Sequence, residues 1–324
     1  MAWIERLRMR ADMLSRARAF FAERGVMEVD TPVLGEGLVV ESHVDPIPCR
    51  VQHGAQGEVV RHLLTSPEGP MKRLLAAGSG PIYQFAKAFR DGELGRRHLI
   101  EFTMLEWYRP GLDHFELMDE VEALVRTLVP RIGAEPFERV SYRQLFVETA
   151  QLDPHATSLA EIRSACERLG VAVPDSFERG TLDDALDLLL VSHIEPQLGT
   201  NRPVFVHAYP PSQAALARVR TDADAVSQAA ADAATADRFE LYFEGVELTN
   251  GYYELADASE QRLRFEQANR DRQTAGRPPL PLDEELLQAM AAGFPDCAGV
   301  ALGFDRLVML ALGCTDIADA RAPQ

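Results

Sequence analysis

Residues Phe89 to Pro110 read FRDGELGRRHLIEFTMLEWYRP, and this stretch decides how the rest of the chain is read. Arg90 closes an apolar run, IYQFAKAF, from Ile82 to Phe89. A loop rich in charge and glycine follows, and then a second strand-like run, EFTMLEWY, from Glu101 to Tyr108. Strand, polar loop, strand predicts a hairpin. The loop is too long for a tight turn and too charged for a core. Long polar loops carried on rigid strands are functional or mobile. An arginine at the mouth of such a loop suits an anion, because its planar fork makes bidentate bonds to phosphate oxygens and keeps its charge.

Two further segments extend the pattern. GVALGFDRLVML, from Gly299 to Leu310, joins a run of small residues, which lets backbone approach a ligand, to Arg306 and an apolar stretch that would bury as a helix. FFAERGVMEVDTPVL, from Phe20 to Leu34, ends a long helical pattern at Gly25, then gives a short strand stopped by Thr31-Pro32.

Composition bounds the function. The 324 residues are 46% hydrophobic, ample for a large core. The formal charge of −17 disfavours a protein that grips a large nucleic-acid surface, since phosphate neutralisation dominates such affinity. Arg96 and Arg97 remain as a local basic patch in the loop. The four cysteines, at 49, 166, 297 and 314, form no CxxC pair, so zinc-ribbon and thioredoxin-like sites are unsupported. No GxxxxGK[ST] sequence occurs, and Gly78-Ser79-Gly80 reads as a helix C-cap turn. The histidines at 43, 53 and 62 lack metal-ligand spacing, and His98 reads as an ordinary surface residue of the loop. Neither a signal core nor a membrane-spanning window is present, so a cytoplasmic location is expected.

Along the chain, helices are expected at 3–24, 71–77, 115–128 and 258–272, and a short strand at 26–29. Residues 35–62 read as loops with short apolar runs. From 130 to about 238 the pattern weakens into short helices and proline breaks. Its run DADAVSQAAADAATAD, from Asp222 to Asp237, reads as a solvated helix or loop. RFELYFEGVELTNGYYEL then resumes strand character, with Phe239, Leu241 and Phe243 alternating with Glu240, Tyr242 and Glu244 as in a half-buried strand.

The hairpin segment resembles motif 2 of the class II aminoacyl-tRNA synthetases, the C-terminal segment motif 3, and the N-terminal one motif 1. All three stand in the family's order. The resemblance implies an α/β (α+β) fold: an antiparallel sheet flanked by helices, in a homodimer formed through motif 1. It implies ATP as co-substrate with Mg²⁺. Arg90 would hold the α-phosphate and Arg306 the far end of the triphosphate, the two catalytic clamps. Asp91, Gly92, Glu93, Leu99, Glu247, Leu248 and Gly303 would complete the nucleotide site, and Glu240 and Glu247 would ligate the metal. Carboxylates with phosphates and water form the usual Mg²⁺ shell.

The substrate positions are more specific. Ser66 and Glu68 in TSPE, Tyr108 in EWY, and Asn250 and Glu254 in NGYYEL match the residues around the amino acid in lysyl-tRNA synthetases, where the two glutamates recognise amino groups. An ammonium, with three donors, prefers acidic partners. The similarity is to the catalytic part alone: 1–324 as a single catalytic domain, with an insertion at about 130–238 and no OB-fold for an anticodon. Sequences such as KRLLAAGSGPIYQ, FEQANR and PDCAGVALGFDRLVMLALG resemble stand-alone paralogues that join lysine or (R)-β-lysine to a lysine of elongation factor P. Stable tRNA binding and a membrane partner are not expected. Ala301 replaces the glycine usual in the synthetases, which is compatible with a β-amino acid. His98-Leu99-Ile100 departs from the family's HNP, and Gly92 stands where some relatives have Glu, so Glu93 takes the acidic role. Two alternatives remain: a truncated synthetase that charges tRNA, and a non-catalytic regulatory paralogue.

Overall fold

The computed structural model describes residues 2–174, 177, 180–220 and 234–322. Contacts divide the chain into two compact units, Met1–Arg131 with Leu255–Gln324, and Ile132–Glu254.

The first unit opens with α1 (Trp3–Glu23), then β1 (Met27–Glu28). Gly25 lies between them at φ 67°, a conformation open to glycine. Met13, Ala17, Phe20 and Phe21 form the buried stripe of α1. Phe21 stacks on Tyr83 with ring centroids 4.2 Å apart and meets Trp107 edge-on. The segment expected to be loop at 35–62 instead builds a small antiparallel sheet of β2 (Leu34–Gly35), β3 (Ile47–Gln52) and β4 (Glu58–Leu63), in the order β2-β4-β3. Ile47, Cys49 and Val51 do alternate with Pro48, Arg50 and Gln52 along β3, a short period-2 signal that the loop reading missed among the neighbouring glycines and prolines. Next come α2 (Glu68–Ala76), β5 (Ile82–Phe89), β6 (Glu101–Pro110) and α3 (His114–Leu128). The turn after α2 is the expected C-cap: Gly78 has φ 84°, and the Gly78 and Ser79 amides donate to Leu75 and Leu74 carbonyls. A capping box on Asp113 and Glu116 starts α3.

The second unit begins with β7 (Glu138–Ser141) and α4 (Tyr142–Ala150), followed by α5 (Leu159–Leu169), α6 (Leu182–Leu189), β8 (Val204–Tyr209) and β9 (Val219–Arg220). Strands β10 (Thr235–Phe243) and β11 (Val246–Tyr253) complete it. Antiparallel β11, β10 and β8 are extended by β7, parallel to β8, and β9 pairs with the start of β10. Tyr142, Phe146, Ile162, Leu186, Leu189 and Val206 share its core. Most of the alanine-aspartate run lies outside the described residues, but its end is strand: Thr235, Ala236 and Asp237 already belong to β10. The half-buried reading of β10 is also corrected. Glu240 and Tyr242 are buried alongside Phe239 and Leu241, so both faces are covered.

The chain returns to the first unit with α7 (Ala258–Thr274), α8 (Glu284–Ala292), β12 (Cys297–Gly303) and α9 (Phe304–Ala311). Strand β6 pairs antiparallel with β5 on one side and β12 on the other, and β1 lies parallel to β5. The expected antiparallel sheet with flanking helices is therefore present.

Candidate active site

In the first unit the hairpin and the C-terminal motif meet. Strands β5 and β6 run in register from Ile82↔Tyr108 to Phe89↔Glu101, so Arg90 leaves β5 at the mouth of the loop. The Arg90 amide donates to the Ile100 carbonyl at 2.9 Å and closes the loop base. The Arg90 guanidinium stands 5.2 Å over the Phe102 ring and 3.9 Å from Glu93. Gly92 has φ 75°, and its amide donates to Asp91 Oδ1. The loop is tied down rather than loose. Gly95 and His98 bridge across its tip, the Asp91 amide reaches the Asp45 carbonyl at 2.7 Å, and the Ile317 amide reaches Arg96.

Arg306 completes this set. A Cβ on Gly303 would lie 3.3 Å from Arg306 Cδ, so the glycine leaves room for the side chain to pass over the strand end. Arg306 Nε donates to the Arg97 carbonyl at 3.2 Å, and Nη2 stands 2.6 Å from His98 Nε2. His98 is an exposed loop residue, as expected, and it also touches the motif 3 arginine. Its pKa is lowered by partial loss of hydration and then by Arg306, with Arg90 and Arg97 adding to the effect and Glu93 opposing it. A buried pair fixes the base of α9: Asp305 Oδ1 meets Arg10 at 2.6 Å, and Oδ2 accepts from the Thr103 amide.

Of the substrate positions in the first unit, Ala301 and Tyr108 lie on the sheet and Ser66 and Glu68 at the start of α2. Gln84, Glu106 and Ala301 are register partners across β5, β6 and β12. Ala301 and Gly303 are partly exposed while their neighbours Val300 and Leu302 are buried, so this face of β12 is the open one. Tyr108 is buried and its hydroxyl donates to Glu106 Oε1 at 2.6 Å. Glu106 was not singled out. The signal was an acid inside an apolar strand run, a place where carboxylates are rare unless paired. Glu68 begins α2, with its amide directed at Ser66 Oγ, and its carboxylate stands 2.5 Å from the buried ammonium of Lys72.

In the second unit a bulge organises the acids. Leu241 pairs with Thr249 but Tyr242 with Glu247, leaving Leu248 as the extra residue. Glu247 and Glu254 are an odd number of residues apart, which would place them on opposite faces of a regular strand. The bulge restores them to one face, with Asn250 between them. Glu254 is buried and Leu248 is core, while Glu247 and Asn250 are partly exposed. Glu240 is buried and bonded on both oxygens. It accepts from Tyr209 and Tyr242 hydroxyls at 2.6 and 2.5 Å on Oε2 and from Arg238 at 2.5 Å on Oε1. Arg238 also donates to Asn250 Oδ1 at 3.2 Å. Ala208, at φ 57°, carries a strained backbone next to Tyr209 of this network. Three protein donors therefore compete with a metal ion for this carboxylate. Among the described residues no group of three or more His, Cys, Asp or Glu side chains could hold a metal.

No helix among the described residues is long and apolar enough to cross a membrane. Comparison with known proteins agrees with the motifs. The tRNA synthetases class II (D, K and N) family matches residues 2–322. The elongation factor P–(R)-β-lysine ligase of Salmonella typhi is 44% identical over 323 residues, covering 99% of this chain and 95% of the relative. The protein of the same name from Salmonella gallinarum is 45% identical over the same shares. With the arginines of motifs 2 and 3 joined through one loop and the match running end to end, the chain belongs to the class II tRNA synthetases of the D, K and N group.

Proposed function

We propose that this protein is an AMP-forming ligase that activates lysine or (R)-β-lysine with ATP and transfers the acyl group to a lysine ε-amine of elongation factor P. The observation that carries the reading is the convergence of Arg90, His98 and Arg306 on one loop, supported by the names of relatives that cover the whole chain.

Bringing a carboxylate to a phosphate sets two anions against each other. Arg90 and Arg306 offset this charge and orient the polyphosphate. A carboxylate oxygen of the amino acid attacks the α-phosphorus, pyrophosphate leaves, and a mixed anhydride forms. The acceptor amine then attacks the carbonyl carbon, AMP leaves, and the amine loses a proton. Asp91, Gly92, Glu93, Leu99, Leu248 and Gly303 are assigned to the nucleotide. Ser66, Glu68, Glu106, Tyr108, Asn250, Glu254 and Ala301 are assigned to the amino acid.

For the metal we assign Glu247, on the face it shares with Glu254, in place of Glu240. Mg²⁺ is held by one or two carboxylates with substrate phosphates and water, so a preformed protein cage is not required. Bound there, the ion supplies charge neutralisation on the phosphate oxygens. A homodimer through motif 1 fits the exposed Trp3, Ile4, Met9 and Met27 on α1 and β1. We read the location as cytoplasmic and the two units as one catalytic chain.

The test is lysine-dependent pyrophosphate exchange. Wild-type protein is expected to exchange with a lysine isomer. Arg306→Ala is expected to fold and lose about 100-fold or more. Near wild-type exchange in that variant contradicts the reading.

A further inference from the structure

Arg272, in the last turn of α7, is 1% exposed. Its Nε donates to the Pro278 carbonyl at 3.0 Å, Nη1 to the carbonyls of Glu41 and Val44 at 3.2 and 2.9 Å, and Nη2 to Asp45 Oδ1 at 2.6 Å. Arg277 adds a bond to the His43 carbonyl at 2.8 Å and an ion pair with Asp45 at 3.4 Å. Two arginines thus hold the irregular segment 41–45. The same Asp45 accepts the Asp91 amide through its carbonyl at 2.7 Å. Asp91 is the residue after Arg90, whose own amide is held by Ile100. The first step of the loop beyond Arg90 is therefore anchored on a segment that Arg272 gathers.

Burying a guanidinium is costly, and an apolar side chain fills the same volume with no such penalty. Collecting several acceptors from one irregular segment is what the rigid five-donor fork does and an apolar side chain cannot. We propose that Arg272 is a positioning residue for the nucleotide clamp: through Asp45 it fixes Asp91 and so the direction in which Arg90 leaves β5. The inference deepens the ATP-dependent reading above and rests on it. A small displacement of a clamp is felt strongly in rate or affinity, whereas segment 41–45 contributes none of the residues assigned to the amino acid.

Arg272→Lys keeps the charge but not the fork, and Asp45→Ala removes the carboxylate that Arg272 and Arg277 grip while keeping the carbonyl that accepts the Asp91 amide. Two readouts are taken on each folded variant: hydrogen exchange of the Asp91 amide, and the KM values for ATP and for lysine in pyrophosphate exchange. Both variants are expected to lose Asp91 protection and to raise the KM for ATP by about tenfold, with the KM for lysine within about twofold. Wild-type protection at Asp91, or KM values for ATP and lysine that move together, overturns the proposal. If Arg272→Lys does not fold, Asp45→Ala decides by the same criteria. Wild-type protein that binds ATP yet activates no lysine isomer refutes the substrate reading. In that case Asp91 protection and calorimetric ATP affinity of the variants still decide this one.

Discussion

Arg306 Nη2 stands 2.6 Å from His98 Nε2, so the arginine of the C-terminal motif rests on the loop that Arg90 opens. A guanidinium only donates, so His98 Nε2 is the acceptor, and the neutral ring carries its proton on Nδ1. Protonation would replace this bond with two facing cations.

That contact predicts a pH dependence. His98 has a folded-state pKa below its ordinary 6.5, through partial loss of hydration and then Arg306; the residue is still exposed, so solvent keeps its effect on stability small. Between these two values the unfolded chain binds the proton and the folded one does not, so stability falls as pH drops below about 6.5. His155 and His207 are lowered by burial as well and contribute to the same limb. His98→Gln should flatten part of it, read as melting temperature between about pH 5 and 8. An unchanged slope would show that the Arg306 contact does not persist in solution.

Glu240 and Glu247 should separate by experiment. Glu240→Gln removes the counter-charge of half-buried Arg238 and weakens the bonds from Tyr209 and Tyr242, and should cost about 3 kcal/mol, seen in denaturant unfolding. Glu247→Gln should raise the Mg²⁺ concentration needed for pyrophosphate exchange, and Glu240→Gln should not once the loss of folded protein is corrected for. The opposite pattern would return the metal to Glu240.

Glu68 and Glu254 are expected to select a diamino acid. Glu→Gln at either position should weaken lysine-type substrates far more than ATP. At Glu68 a loss of stability should accompany this, because Lys72 is buried against that carboxylate. Equal losses for ATP and lysine would assign these acids to the metal or to folding.

The hairpin, the long helices and the C-terminal strand–arginine–helix were legible because their periodicity and their charged interruptions are long and local. The small sheet at 34–63 was not, because its alternation, clear only over the six residues of β3, is short and includes a proline, and its pairing partners are set by topology. The bulge at Leu248 could not be read either. It is a matter of register between strands, and it alone restores Glu247 to the face of Glu254. Part of the network around Glu240 was hidden too: Arg238 and Tyr242 are its strand neighbours, but Tyr209 reaches it from β8, and nothing in the local sequence announces that bond. His98 is the exposed loop residue it was read as, and only its neighbour Arg306, distant in sequence, sets it apart.

The acceptor is the central claim, and one tube tests it most directly. Labelled (R)-β-lysine or lysine, ATP, Mg²⁺, purified elongation factor P and total tRNA are incubated with the enzyme. The account predicts label on the protein that survives base, as an amide does and an ester does not, with an intact-mass gain of one lysine less one water. Label in acid-precipitable tRNA, with none on elongation factor P, would contradict it.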